Sequence, residues 1–182
     1  MAALDILILA LLSKGPAHGY NLKKRVETAM GGALSLNNKV LYPALRRFQE
    51  MGAVTSELVP QEGSPPRRVF SMTEAGIDVL RDMLEDFSGG LVRSPAEFQV
   101  RFVLFDMLPA PARLALLERR RAVVQRDLDH LDPAFLEMAS ARWGDGHVER
   151  LLDLFRRQAA VELSWLDEQR RLEQEGLPGV AV

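Results

Sequence analysis

The chain opens with "MAALDILILALLSKG", an apolar run that only Asp5 interrupts before Ser13. Apolar nearly all round and closed by Gly15 and Pro16, it predicts a buried first helix. In "AHGYNLKKRVETAM" the apolar positions Leu22, Val26 and Ala29 with Met30 recur at helical spacing, leaving Lys23, Lys24 and Glu27 to water. "GGALSL" reads as a glycine-led turn, after which a second short helix takes Asn37 as its N-cap and Gly52 as its stop. Its apolar face is Leu41, Ala44, Leu45 and Phe48. Two strand patterns follow, "AVTSELV" and "RRVFSM", joined by "PQEGSPP", whose proline and glycine content predicts a loop with Arg67 and Arg68 at its exit. Thr73 then caps a helix, "EAGIDVLRDMLEDF", with Ile77, Leu80 and Leu84 on its inner face. Helices flanking a turn, then a hairpin, then a linking helix make a winged helix-turn-helix over residues 1–86.

From residue 94 to 176 the patterning is helical only. "SPAEFQVRFVLFDML" is stopped by "PAPA", a second helix runs to about Leu131, and "DPAFLEMASARW" starts a third with Pro133 near its first turn. A final helix from about His147 to Glu175 would span on the order of 43 Å at ~1.5 Å per residue, too long for its own small domain to cover. It carries two apolar stripes, one through Val148, Leu152, Phe155, Ala159 and Leu166, the other through Leu151, Leu154, Val161, Trp165 and Leu172. A doubled stripe has two things to pack against, here its own domain and a partner subunit across a two-fold axis. The expected fold is therefore mainly α: an N-terminal winged helix-turn-helix with a two-stranded wing, then an all-helical dimerisation domain with a long final helix.

Composition removes several function classes. The 182 residues include no cysteine, so there is no disulfide framework, thiolate nucleophile or cysteine-ligated metal, in keeping with a cytoplasmic protein. The opening apolar run lacks a basic flank and a cleavage site and is too short for a bilayer, so neither export nor membrane insertion is expected. Histidines 18, 130 and 147 are scattered, and no H-E-x-x-H, G-x-S-x-G or phosphate-loop pattern occurs, so the chain is not expected to be an enzyme or to hold a metal or cofactor.

Charge is divided unevenly. Residues 1–73 carry nine Lys and Arg against five acids, a net of +4, whereas residues 74–182 carry fourteen against twenty, a net of −6. A basic N-terminal third fits a DNA-reading module joined to an acidic assembly module. Lys39, Tyr42 with Pro43, and Arg46 share the face of the second short helix opposite Leu41, Leu45 and Phe48. With Asn38, Arg47, Arg67 and Arg68 they form the candidate DNA-contacting set, the helix tip reading the major groove and the two wing arginines lying along flanking backbone. Two placements stay open: Tyr42 either donates to phosphate or packs its ring on the preceding helix, and Arg47 faces either the groove or away. His18 is expected to be structural, and Pro43, past the first turn, removes one helical bond and is expected to loosen the axis near Lys39.

The stretches "ALLSKGPAHGYNLKKRVE", "NNKVLYPALRRFQEMGAV" and "RRVFSMTEAG" resemble, in order and spacing, the hallmark segments of PadR-like transcriptional regulators. The resemblance implies a homodimeric DNA-binding repressor that recognises a pseudo-palindromic double-stranded operator and whose C-terminal helices make the dimer. Lys39 and Val40 depart from the pattern at the start of the reading helix, where operator preference is expected to be written. Relatives respond to small aromatic or drug-like molecules, and the rings Phe98, Phe102, Phe105, Trp143, Phe155 and Trp165 all fall in the helical part. Phe98, Phe102, Phe155, Trp165 and Leu166 are the candidate dimer and effector residues, for a small apolar or aromatic effector. The competing reading is a winged helix used for protein-protein interaction, against which stand the basic helix face and the wing arginines.

Overall fold

A computed structural model describes residues 2–29, 37–61, 63–87, 91–130, 137, 141 and 145–176. The glycine-led turn, Trp143 and nearly all of the helix expected from Pro133 lie outside the described residues. The chain divides into two units, Met1–Asp86 with Gln99–Leu108, and Phe87–Phe98 with Pro109–Val182.

The first unit is built on α1 (Ala2–Ser13), whose Ile6, Ile8 and Leu9 are completely buried, packed by α4 (Glu74–Glu85) and α2 (Gly19–Ala29). Gly15, at φ +136°, lets the chain leave α1 in a conformation a side chain would resist. In α2, Leu22 and Val26 face inward, but Ala29, placed on that face by its spacing, is exposed. The next helix, α3 (Asn38–Glu50), begins where Asn37 Oδ1 accepts the Lys39 N–H at 2.9 Å. It ends in a glycine cap: Gly52, at φ +71°, donates to the Gln49 carbonyl, and Ala53 donates to that of Phe48 at 2.8 Å. Leu41, Ala44, Leu45 and Phe48 are all buried, each large side chain contributing about 1.5–3 kcal/mol. The helix runs through Pro43 without interruption, although Pro43 has no N–H to give the Lys39 carbonyl.

The wing differs from the sequence expectation in two ways. Its strands, β2 (Val54–Gln61) and β3 (Ser64–Met72), reach almost to the turn at Gly63, so most of "PQEGSPP" is strand rather than loop, and Arg67 and Arg68 sit within β3. Register runs from Val54 opposite Met72 to Val59 opposite Arg67, with an irregularity before Gln61 that takes up Pro60. A third strand, β1 (Ala17–His18), pairs antiparallel with β3, giving the order β1-β3-β2. It spans only Ala17 and His18, opposite Phe70 and Val69, so Pro65 and Pro66 lie beyond its reach and need no N–H on that side.

Thr73 caps α4 as its position suggests, accepting from the Gly76 N–H at 3.1 Å and donating to the Gly52 carbonyl at 2.7 Å. The inner face of α4 is Gly76, Leu80 and Leu84; Ile77 is 39% exposed, a correction to the spacing argument. Gly76 lies so near the Ala53 carbonyl that no Cβ fits between them, and this approach turns the Gly76 side of the helix inward. Arg101, fully buried on α5 (Pro95–Val103), donates to the Met83 and Asp86 carbonyls at 3.2 and 3.3 Å and so satisfies the C-terminal end of α4.

In the second unit α6 (Ala110–Asp129) and α7 (Asp145–Glu175) run antiparallel, with Arg113 paired to Glu173, Arg170 to Glu118 and Arg121 to Asp167. The hydrogen bond from Arg121, working against desolvation, holds the Asp167 carboxyl below the usual carboxylate range. At the centre, buried Arg120 forks onto Glu162 at 2.6 and 3.1 Å and donates to the carbonyls of Val92 and Arg93 at 2.9 and 2.8 Å. Its guanidinium also lies 5.6 Å from the Phe98 ring centre.

Candidate nucleic-acid interface

The outer face of α3 follows from its inner one. With Leu41, Leu45 and Phe48 turned into the core, the helical period leaves Asn38, Lys39, Val40, Tyr42, Pro43 and Arg46 exposed. Arg47, also on α3, is engaged elsewhere: its guanidinium meets the Asp5 carboxylate of α1 at 2.7 Å. That contact turns Arg47 toward α1, the placement the sequence left undecided.

Three elements converge beside this face. The start of α2, the ring of Tyr42 and the middle of β3 enclose a groove of about 530 Å³ lined by His18, Gly19, Tyr20, Asn21, Tyr42, Arg67 and Arg68. The pairing of His18 with Val69 brings the α2 start against the wing strand. Tyr42 lies over Gly19, its hydroxyl 2.6 Å from where a Cβ of residue 19 would stand. Its ring is therefore packed on the preceding helix while nearly half its surface, 47%, stays exposed in the groove. The two readings of Tyr42 are thus compatible.

The groove gathers Tyr42, Arg67 and Arg68 from the sequence-based set and adds His18, Tyr20 and Asn21, which that set left out. Tyr20 is 74% exposed, an unusual position for a tyrosine that only fills space. The signal for it was the "HGY" triplet, but its meaning depends on β1, whose two residues are too few to show a period. Two guanidinium groups, two phenols, an amide and an imidazole make a donor-rich surface suited to an anionic, hydrogen-bond-accepting backbone.

The candidate dimer and effector residues fall in separate places. Phe98 and Trp165 meet edge to face at 6.3 Å within the second unit, and Leu166 is completely buried beside them on α7. Phe102 packs on Phe105 at 4.6 Å within the first unit. Phe155 is exposed on α7, with Leu151, Leu154 and Val161. Each of the two sequence stripes therefore mixes buried with exposed positions: Leu152, Leu166 and Leu172 go inward, and Phe155 joins the uncovered side. No helix among the described residues is long and apolar enough to cross a membrane.

Residues 8–82 match the transcriptional regulator PadR-like family. The negative transcriptional regulator PadR of Bacillus subtilis is 27% identical over 84 residues, 46% of this chain and 46% of that protein. The transcriptional regulator YqjI of Escherichia coli is 32% identical over 82 residues, 45% of this chain and 38% of that protein. The matched stretch is thus less than half the length of either relative. Among solved structures, that of Bacillus subtilis PadR in complex with operator DNA aligns over 93% of this chain and 98% of its own, at 20% identity and a TM-score of 0.44. A transcriptional regulator from Clostridium thermocellum aligns over 47% of this chain and 83% of its own, at 23% identity and a TM-score of 0.44.

Proposed function

We propose, from the match of residues 8–82 to the PadR-like transcriptional regulator family, a cytoplasmic homodimeric repressor that binds a specific double-stranded operator and is released by a small apolar or aromatic effector. The observation that carries the DNA-binding part is the exposed α3 face of Lys39, Tyr42 and Arg46 beside the groove holding Arg67 and Arg68. Lys39 and Arg46 reach base-edge acceptors in the major groove, while Tyr42, Arg67 and Arg68 meet phosphates and fix the register. The uncovered apolar side of α7, Leu151, Leu154, Phe155 and Val161, supports pairing with a second copy, and a two-fold axis matches a pseudo-palindromic site. For the effector the support is narrower: the Phe98 and Trp165 pair is the aromatic contact in the helical unit against which an entering apolar molecule would pack.

A salt titration tests the DNA-binding part. On a duplex from upstream of the protein's own gene, log affinity should fall linearly with log salt, and Arg67→Ala or Arg68→Ala should each flatten the slope by about one without altering base preference. Arg46→Ala should cost about 1–3 kcal/mol and relax discrimination at one position. Affinity insensitive to salt would move the protein to the interaction-module class.

A further inference from the structure

Two glycines of this fold are closed to a side chain, for different reasons. At Gly76 the obstacle is backbone, the Ala53 carbonyl. At Gly19 the three nearest atoms all belong to Tyr42: its hydroxyl oxygen at 2.6 Å, Cζ at 3.0 Å and Cε1 at 3.2 Å from an ideal Cβ. Gly19 is not among the residues at positive φ, and it is the first residue of α2, where alanine is the better helix former. Neither backbone conformation nor helix propensity calls for glycine there. The phenol does.

We propose that Gly19 is a positioning residue for Tyr42: the absent side chain is the berth of the phenol, and it fixes the Tyr42 hydroxyl in the groove shared with Arg67 and Arg68. The inference rests on the DNA-binding reading and adds to it a residue that touches no DNA itself. A methyl group at position 19 displaces the far end of a side chain, the cheapest thing in the neighbourhood to move, so the cost falls on the hydroxyl's position and not on the fold. The hydroxyl is neutral, so its bond to a phosphate releases no counterion. Its loss lowers affinity equally at every salt concentration, unlike the loss of Arg67 or Arg68.

The test is a double-variant cycle on the full chain, using a duplex that the wild-type protein selects from a random-sequence pool. Gly19→Ala and Tyr42→Phe should each weaken binding about tenfold, the value of one hydrogen bond to a charged acceptor, with the salt slope unchanged. Together they should again weaken it about tenfold, because the second change removes what the first has already displaced. Gly19→Ala should keep the wild-type urea midpoint. A combined loss near a hundredfold, or wild-type affinity in Gly19→Ala, would overturn the assignment. Wild-type protein that selects no duplex would overturn the DNA-binding reading as well, which separates the two failures. In the free protein the Tyr42 ring resonances should move on Gly19→Ala, and unmoved resonances would also sink the idea.

Discussion

At Gly76 the missing Cβ serves the fold. The Ala53 carbonyl that blocks it already accepts the Thr73 N–H at 3.1 Å, so the end of α3, the end of the wing and the start of α4 meet at one crowded point. Gly76→Ala must push backbone, and we expect a loss of about 1–3 kcal/mol, read as a lower urea midpoint with an unchanged m-value. An unshifted midpoint would mean that the point is looser than its geometry. Both glycines stand in stretches legible as motifs, "HGY" and "TEAG", yet neither reason was legible, because a clash with a residue distant in sequence leaves no local trace. Side chains whose surroundings are set by their own helix were readable: Leu41, Ala44, Leu45 and Phe48 went where the period put them. Ile77 did not, since spacing alone could not choose between neighbouring faces of α4.

Among elements, the helices of several turns and the two long wing strands were visible from their patterning, whereas β1 was missed. β1 is two residues long and exists only because β3 offers it an edge, and of the prolines that suggested a long wing loop, Pro65 and Pro66 are accommodated where β3 has no neighbour on one side and Pro60 at the irregularity in β2. For α7 the stripes were visible but their assignment was not. The ion-pair ladder is antiparallel and α6 stops at Asp129, so the first turns of α7 run past its end, and Leu151, Leu154 and Phe155 are exposed there. Phe155→Asp should therefore weaken self-association by about 30-fold or more while preserving helicity, as sedimentation and circular dichroism would report. Leu166→Asp should instead unfold the helical unit, because that side chain is wholly buried within it. Phe155→Asp protein that still sediments as a dimer would place the seam elsewhere.

For the whole molecule, the uneven charge of the sequence is spent unevenly too. In the second unit Arg113, Arg120 and Arg121 are each committed to a carboxylate on α7, so these three hold helices together. In the first unit four of the exposed cations, Lys39, Arg46, Arg67 and Arg68, stand around one face and its groove. Arg47, on the same helix as Lys39 and Arg46, is instead bound at 2.7 Å to Asp5. A guanidinium already matched by a carboxylate displaces no counterion from a duplex. Asp5→Asn should release it, raising affinity for unrelated DNA several-fold and steepening the salt dependence by about one, with base preference unchanged; equal affinity in both proteins would show the pair to be silent. A reader that must leave countless wrong sequences before meeting the right one gains from a charge kept out of play, since each additional unspecific contact lengthens every wrong stop. On this reading, the half-buried acidic residue of an otherwise apolar first helix sets how quickly the protein lets go.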